Sequence, residues 1–351
     1  MPAVKRQGII ITKTPRRNDA LFSPGKNRRL YRAEREFGGC EHIQMSSAKK
    51  RKKLPRWLLI PAVLLFLFLF LFYGPFKSFR LLLINTAMHS RRFQPLATLF
   101  YTEEYINKVT RIEPEQEPIT DDSVLTNAWD DGISFTEIKG SHYKGYIIKI
   151  NDPRRLMFPQ AFESKGNLLE QLVEKHEAIG GINASGYADA RQRGVVWGMT
   201  IVDGDFVARS SQDGSHVMGG FTRDYKLVVG NFTDEEIIAQ HYLWAFEFFP
   251  RLIVNGEKMD FPPFSGGYAP RTAIGQTAQG HVLLVVVDGR QKGSIGATFE
   301  DLQTILFANG AVNAINLDGG SSSTMVFQGR VINNPPDGEK ERLLPNAILF
   351  R

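Results

Sequence analysis

Residues 313–325 read NAINLDGGSSSTM, in which an apolar run ends at Asp318 and two glycines and three serines follow. A carboxylate, flexible residues and hydroxyls beyond a strand end can form the floor of an active site, because open α/β sheets bind ligands there. The same residues are also compatible with an ordinary turn, in which the aspartate bonds its own backbone. A second apolar run, residues 281–290, ends in the same way at Asp288-Gly289.

Three predicted elements would position these two ends. HVLLVVVDGR (281–290) and AVNAINLDGG (311–320) predict strands, and the unbroken apolar run of the first is typical of a strand buried on both faces. Between them, TFEDLQTILFANG (298–310) predicts a helix capped by Thr298 and Asp301 and ended by a glycine. Strand, helix and strand in this order predict a βαβ unit with a right-handed crossover.

Parallel strands bring their carboxyl ends to one edge of a sheet, so the βαβ unit predicts that Asp288 and Asp318 lie close together. Neighbouring strands would separate their Cα atoms by about 5 Å, and one intervening strand by about 10 Å. Either separation would let two carboxylates act on one substrate. Arg290 stands beside the first Asp-Gly pair, and Ser321–Ser323 follow the second. For each pair, turn chemistry remains the alternative.

Further polar candidates stand next to predicted strands. APRTAIG (269–275) places Arg271 and Thr272 before a strand-like stretch. A guanidinium fork suits a phosphate or carboxylate, with the Thr hydroxyl as another donor, while a surface salt bridge is the alternative. In ERLLPNAILF, Arg342 and Asn346 flank a proline before the predicted last strand, with turn and capping roles as the alternative.

Several other chemistries find no support in the sequence. No strand-then-GxGxxG pattern and no P-loop lysine accompany the Gly-Gly-Ser stretch, which disfavours nucleotide binding. No Gly-x-Ser-x-Gly elbow precedes any of its serines, which disfavours a serine nucleophile. The seven His show no zinc spacing and Cys40 is the only cysteine, so no metal site is predicted. The glycines predict instead that substrate approaches the backbone.

PRTAIG, VVVDGR and NLDGGSSSTM, followed by an arginine and NAILF, together resemble the phosphodiester glycosidase family. This family includes the animal N-acetylglucosamine-1-phosphodiester α-N-acetylglucosaminidase and bacterial proteins labelled as exopolysaccharide biosynthesis proteins. The resemblance covers roughly residues 140–351 and implies hydrolysis of a sugar-1-phosphate diester at the glycosidic carbon. No cofactor is required, and a divalent cation held by the aspartates is compatible with it.

The resemblance also implies roles for residues. Arg271 and Arg290 would hold the phosphate, and Asp318 or Asp288 would supply the catalytic carboxylate. The residues expected to bind the rest of the substrate are Asn183, Thr272, Asn316, Gly319, Gly320, Ser321, Ser322 and Arg342. Asn183 belongs to INASGY, where Ala-Ser-Gly-Tyr replaces the usual glycines and phenylalanines of the family. This departure bears on the sugar rather than on the reaction.

Charge is spread unevenly along the chain. Residues 1–56 hold 16 Lys and Arg against 4 Asp and Glu, a net charge of +12, and the rest holds 27 against 33, a net charge of −6. The folded part is therefore mildly acidic, which argues against nucleic acid as a partner. WLLIPAVLLFLFLFLFY (57–73) carries no charge, and extended to residue 76 it is long enough to cross a bilayer.

KKRKK (49–53) precedes the apolar run, so the positive-inside rule places the N-terminus in the cytoplasm and the bulk of the chain outside. We expect a basic cytoplasmic tail at 1–56, whose first 44 residues are an over-extended reading frame ahead of Met45. A membrane anchor at 57–76, a juxtamembrane helical stalk at 77–112, a linker at 113–129 and a phosphodiester glycosidase domain at 130–351 follow.

The predicted fold class is α+β, a mixed β-sheet core with flanking helices that include the C-terminal βαβ unit, after one transmembrane helix. The expected function is a single-pass, membrane-anchored glycosidase that acts outside the cytoplasmic membrane on phosphodiester-linked envelope or extracellular glycan. The alternatives are a non-catalytic glycan-binding envelope protein on the same fold, and a structural envelope protein that anchors partners through residues 78–112.

Overall fold

The computed structural model describes residues 59–88, 93–110, 120, 128–189, 192–209, 214–334, 336 and 340–351. The predictions for the basic tail, its Cys40 and most of the linker fall outside these residues. The helices of the described part are α1 (Leu59–Tyr73), α2 (Lys77–Met88), α3 (Gln94–Phe100), α4 (Glu103–Thr110), α5 (Leu169–Lys175), α6 (Asp234–Ala239) and α7 (Phe299–Ala308).

The described part of the chain contains nineteen strands, β1 to β19. The first ten are β1 (Ile133–Lys139), β2 (Lys144–Ile150), β3 (Leu156–Met157), β4 (Gly180–Asn183), β5 (Tyr187–Asp189), β6 (Gln192–Val196), β7 (Thr200–Val202), β8 (Asp205–Ala208), β9 (His216–Thr222) and β10 (Leu227–Phe232). The others are β11 (Tyr242–Glu247), β12 (Arg251–Val254), β13 (Glu257–Lys258), β14 (Arg271–Thr277), β15 (Val282–Val287), β16 (Ala311–Leu317), β17 (Met325–Phe327), β18 (Arg330–Val331) and β19 (Ala347–Phe350).

The largest sheet has seven strands in the order β1-β2-β15-β14-β16-β12-β13. Two five-stranded sheets follow the orders β10-β9-β11-β7-β8 and β18-β17-β4-β19-β3, and β5 and β6 form a hairpin. The β7–β8 hairpin turns at Asp203-Gly204 and the β9–β10 hairpin turns at Arg223-Asp224, whereas Gly219-Gly220 lies within β9. The chain is therefore α+β, as predicted.

Strand direction differs from the prediction of a mixed sheet, because every strand pairing found in the described residues is antiparallel. β15 and β16 still run in the same direction and are joined by α7, but β14 lies between them and pairs with both. The predicted βαβ unit is therefore split by one strand. The apolar run of β15 indicates that both of its faces are buried. Burial alone does not determine whether the neighbouring strand is parallel or antiparallel, so the prediction of a mixed sheet was wrong.

The burial of β15 has a clear source. On one face of the seven-stranded sheet, Leu283 and Val285 pack with Leu302 and Leu306 of α7. On the other face, Leu284 and Val286 join a core that all three large sheets share. Every residue of β15 is buried, as the sequence predicts.

Helix α7 begins at the predicted N-cap. The Thr298 hydroxyl accepts a hydrogen bond from the Asp301 N–H at 3.1 Å, and the Asp301 carboxylate accepts one from the Thr298 N–H at 2.9 Å. His142 Nε2 lies 3.0 Å from the same carboxylate. The capping box therefore ties α7 to the loop between β1 and β2.

The N-terminal described helices form a small cluster of their own. Ile84 of α2, Ala97 of α3 and Ile106 of α4 share a buried core. No single helix in the described residues is long and apolar enough to cross a membrane. By length and composition, α1 and α2 satisfy that test only as a pair, and a bend of 82° separates them.

Two threonine caps predict a measurable contrast in stability. Thr298→Ala should lower the free energy of unfolding by about 1–2 kcal/mol, because it removes a buried hydroxyl that bonds both the N–H and the carboxylate of Asp301. Thr233→Ala, at the exposed capping box of α6, should cost about 0.5–1 kcal/mol. Urea unfolding of both variants measures this, and an equal or larger loss for Thr233→Ala would contradict it.

Candidate active site

The start of β14 and the ends of β15 and β16 meet at one edge of the central sheet. Arg271 pairs with Val287, the last residue of β15, and Thr272 pairs with Leu317, the last residue of β16. The two Asp-Gly pairs that follow these strands therefore flank β14, at roughly twice the strand spacing of about 4.8 Å. The two Asp-Gly pairs therefore lie at one edge of the sheet, as predicted. Of the two predicted arrangements, the structure has the one with an intervening strand.

A cavity of about 540 Å³ lies at this edge. Its wall carries three guanidinium groups, those of Arg271, Arg290 and Arg342, together with Asp318, Asn316 and the turn at 319–321. Five aromatic residues also line it, namely Tyr187, Trp197, Phe248, Phe249 and Phe299. The cavity therefore combines cationic, acidic and aromatic surfaces.

Arg271 is the most constrained of the three arginines, with a relative exposure of 4%. Its Nε donates to the Ala297 carbonyl at 3.0 Å, and its Nη2 donates to the carbonyls of Gly266 and, at 3.0 Å, Gly267. The ring of Phe299 lies 4.3 Å from the guanidinium carbon. These contacts are neutral, and no ion pair of Arg271 with a carboxylate is found in the part of the chain that the structure describes.

The two arginines affect each other. Burial, and then the positive charge of Arg290, lower the pKa of the Arg271 guanidinium below its ordinary value. Arg290 has a left-handed backbone with a φ of +56°, a conformation that is uncommon outside glycine. Gly320 lies next to the Arg290 guanidinium and has a φ of +64°, a conformation that glycine adopts without strain. An anion between the two arginines would offset their repulsion.

Among the charged residues that line the cavity in the described chain, three are arginines and one, Asp318, is acidic, a net charge of +2. Guanidinium groups bind phosphate strongly, because their paired N–H donors match its oxygens. The carboxylate beside them is the group that can act on a bound molecule. The wall therefore places cationic and apolar surfaces side by side.

Residues 176–351 match the family model described as phosphodiester glycosidase, which covers half of the chain. The chain belongs to the phosphodiester glycosidase family. The match contains all three motif segments that carry Arg271, Asp288 and Asp318. The cavity is thus the candidate active site of a phosphodiester glycosidase domain.

Curated relatives of this glycosidase domain include the N-acetylglucosamine-1-phosphodiester alpha-N-acetylglucosaminidases of Mus musculus and Bos taurus. The mouse protein is 26% identical over 225 residues, which are 58% of this chain and 43% of that protein. The bovine protein is 31% identical over 136 residues, 34% of this chain and 26% of that protein. The chain therefore spans less than half the length of these relatives.

A solved structure also resembles this chain, that of the zebrafish N-acetylglucosamine-1-phosphodiester alpha-N-acetylglucosaminidase catalytic domain. The TM-score is 0.55 at 19% sequence identity, and the match covers 71% of this chain and 93% of that chain. At this identity the likeness shows a shared fold alone.

Asn183 and Thr272 of the glycosidase domain are fully buried and are not among the residues that line the cavity. The Asn183 amide donates to the Asp318 carbonyl at 2.6 Å, and its oxygen accepts from the Thr272 hydroxyl at 2.8 Å and the Thr324 N–H at 3.1 Å. Together they tie both ends of the turn at 318–324 to β14. Their predicted contact with substrate stays a prediction, whereas the contacts in the structure position Asp318.

Asp288 differs from Asp318 in its surroundings. It is 2% exposed and does not line the cavity. Its carboxylate accepts hydrogen bonds from the Tyr146 hydroxyl at 3.3 Å and the Asn334 N–H at 3.1 Å. Burial raises the pKa of this carboxyl above its ordinary value of 3.8, against the lowering effect of those bonds. Of the two predicted carboxylates, the structure brings Asp318 to the cavity and leaves Asp288 inside the protein.

Asn316 is among the lining residues of the cavity, although its side chain is almost entirely buried. Its amide nitrogen donates to the Phe249 carbonyl at 2.8 Å, while its side-chain oxygen is buried with no hydrogen-bond partner in the described structure. A buried acceptor without a partner is costly, so a donor from a bound molecule would suit it. Ser322 is also buried, and its hydroxyl has no hydrogen-bond partner among the residues that the structure describes. It is not among the lining residues, whereas Ser321 is.

Sequence reasoning missed the aromatic wall. Phe248 and Phe249 stack at 5.8 Å, and Trp197 meets both rings edge-on at 6.3 Å. On another side, Arg342 donates to the Tyr187 hydroxyl at 2.9 Å. The available signal was the position of these aromatics beside glycines or a proline just outside predicted strands, as in Gly186-Tyr187 and Trp197-Gly198. Such a pattern does not distinguish a binding wall from a loop packed on the core.

Metal binding was not predicted from the sequence. Within the described residues, no group of three or more His, Cys, Asp or Glu side chains is arranged to hold a metal ion.

The buried Asp288 predicts a pH-dependent effect on stability. A carboxyl with a raised pKa binds its proton more tightly in the folded state, so the free energy of unfolding falls as pH rises from 3.8 through the raised pKa. Asp288→Asn does not titrate. We therefore expect its stability relative to the unmodified protein to increase as pH rises through that window, by about 1.4 kcal/mol for each unit of pKa difference.

Chemical unfolding of both proteins at several values between pH 3 and pH 7 measures this difference. A fixed offset at every pH, or an offset that moves the other way, would exclude a raised pKa for Asp288.

Proposed function

We propose that this chain hydrolyses sugar-1-phosphate diesters at the glycosidic carbon, in a glycan outside the cytoplasmic membrane, and releases the sugar. The observation that carries the proposal is the cavity, in which three guanidinium groups and the Asp318 carboxylate share one wall with a cluster of aromatic rings. Membership of the phosphodiester glycosidase family supports the same reaction class.

The arginines account for the phosphate end of such a substrate. A phosphodiester carries one negative charge, and the released monoester gains a second with a pKa near 6. Arg271 and Arg290 would bind the diester and stabilise the charge that develops as the C–O bond breaks and its electron pair passes to the phosphate oxygen. Because a phosphate is a stable leaving anion, it needs no proton from a general acid.

This leaving group explains why one carboxylate on the wall is enough. Most glycosidases use two carboxyl groups, since an alkoxide must be protonated as it departs. Here Asp318 would accept the proton of the water that attacks the sugar carbon and would stabilise positive charge on the sugar ring. Asp288, which is buried directly after β15, would not contact the substrate and would instead help to hold the end of that strand in place.

The aromatic wall accounts for the sugar end. Trp197, Phe248 and Phe249 offer flat apolar surfaces, and binding pockets usually combine such surfaces with a few placed polar groups. The unpartnered oxygen of Asn316 would accept a sugar hydroxyl, and Ser321 would offer a further hydrogen bond.

A substrate screen with one matched pair of variants tests the reaction. The full chain should release free sugar from at least one sugar-1-phosphodiester, and Asp318→Asn should lower kcat by about 10²–10⁴-fold with substrate binding kept. Asp205→Asn, at an exposed carboxylate on β8, should leave kcat unchanged.

Sugar release is followed by chromatography, and binding by calorimetry. Binding without turnover in the unmodified chain would favour the alternative, a glycan-binding envelope protein on the same fold. Neither binding nor turnover with any member of the panel would reject both.

We also propose that residues 57–76 anchor the chain in a membrane, with the domain on the extracytoplasmic side. Ten large apolar side chains of α1, namely Ile60 and those of residues 63–71, are exposed, as lipid contact requires. The basic run at 49–53 supports a cytoplasmic N-terminus.

Membrane fractionation tests the anchor. The full chain should stay with membranes after alkaline carbonate washing and dissolve in detergent. The double variant Leu65→Arg, Phe68→Arg should lose that retention, because each central arginine costs roughly 2.5–3.5 kcal/mol of insertion. Protease added to right-side-out vesicles should digest the domain. Protection of the domain there, or wash-off of the unmodified chain, would overturn the proposed topology.

A further inference from the structure

The end of helix α2 meets the loop that carries two of the carbonyl partners of Arg271. A Cβ at Gly267 would overlap the backbone N and Cα of Thr86 and would lie 2.7 Å from the carbonyl carbon of Asn85. The Tyr268 N–H donates to the Thr86 hydroxyl at 3.4 Å. The loop and the helix therefore touch backbone to backbone, at a point where only glycine fits.

The loop has an unusual backbone. Phe264, Gly266 and Gly267 all have a positive φ, of +60°, +75° and +57°. Phe264 is the one residue of the three for which this conformation is unfavourable, and the two glycines adopt it freely. A glycine pair is also flexible, so the loop keeps one shape only when its surroundings hold it. On one side it is held by the Phe299 N–H, which donates to the Ser265 carbonyl at 3.1 Å. On the other side it is held by α2.

This loop determines where the Arg271 guanidinium points. Nη2 donates to the carbonyls of Gly266 and Gly267, and Nε donates to Ala297, which leaves Nη1 with no hydrogen-bond partner in the described part of the protein. The partner carbonyl of Ala297 is fixed separately, by paired bonds with Ala269 at 2.9 and 3.4 Å. A shift of Gly266 and Gly267 would therefore turn the guanidinium about its Ala297 contact.

Helix α2 is itself held in place from the far side. Its Ile84 and Ala87 belong to a buried cluster with Ala97 of α3 and Ile106 of α4. Tyr101, between α3 and α4, belongs to the same cluster. A loosely placed surface helix would not have this second anchor. Because α2 is held by α3 and α4 on one side, it can hold the loop at Gly267 in a fixed position on the other.

We infer that α2 is a positioning element of the anion site: by contacting Gly267 through Thr86, it holds the carbonyls that aim Arg271 into the cavity. The segment between the apolar run and the domain then completes the active site rather than serving as a spacer. The effect on turnover rests on the proposed function, whereas the effect on anion binding does not.

Two glycine variants of the full chain, in detergent, separate this role from general strain. Gly267→Ala forces α2 and the loop apart. Gly329→Ala is the matched control, because Gly329 has a φ of +71° and nothing within 4 Å of an added Cβ. Calorimetric titration with inorganic phosphate should show at least tenfold weaker binding for Gly267→Ala and less than a twofold change for Gly329→Ala.

A second pair decides the question if Gly267→Ala does not fold. Thr86→Ala removes the acceptor of the Tyr268 N–H and should weaken phosphate binding several-fold, while Thr86→Ser keeps the acceptor and should restore it. Unchanged binding in Gly267→Ala, equal losses in both glycine variants, or equal binding by both Thr86 variants would overturn the inference. So would a failure of the unmodified chain to bind phosphate.

Phosphate binding also keeps this test apart from that of the proposed function. If the unmodified chain binds phosphate but cleaves no sugar-1-phosphodiester, the proposed reaction fails, and the variant comparison still decides the role of α2.

Discussion

The burial of Arg271 without a carboxylate partner found in the described chain is the constraint on which the site depends. Moving a charged group out of water is costly unless hydrogen bonds and opposite charge compensate for it. Backbone carbonyls and the face of Phe299 supply part of that compensation, and Arg290 works against it. An anion bound in the cavity, as the proposed function requires, would offset the remaining cost. The affinity for phosphate that we propose would therefore follow from how the protein folds around this guanidinium.

The fold supplies what that guanidinium needs. Burial of the central sheet on both faces, by α7 on one side and by the other two sheets on the other, makes β14 a rigid carrier for Arg271 and Thr272. The Asn183 amide then links β14 to the turn that begins at Asp318. Strand β14 and the Asn183 side chain thus fix the positions of Arg271, Asp318 and the turn that follows it. This economy explains why residues that do not line the cavity are part of its geometry.

The contrast between the two aspartates shows how environment separates like residues. Both follow a buried strand, and both precede glycine. Asp318 opens onto a cavity lined by arginines, whereas Asp288 is enclosed with the Tyr146 hydroxyl, and burial and Asp288 raise the pKa of that hydroxyl to about 12. In the proposed reaction, a phosphate leaving group would make a single cavity carboxylate sufficient for hydrolysis. The second aspartate is then available to stabilise the strand end beside Arg290.

Much of the local structure was readable from neighbouring residues in the chain. The capping box of α7, the two buried strands and the shared edge of their ends follow from periodicity, capping and strand direction, which depend on residues a few positions apart. Arg271, Arg290, Asn316 and Asp318 were brought to one cavity as their motifs suggested. Only the tertiary structure decided that β14 runs between the two parallel strands, that Asp288 is enclosed, and that Trp197 and Phe249 meet in one wall. Those outcomes depend on which distant segments pack together, and the energy of such packing is distributed over the whole core rather than written in any short stretch.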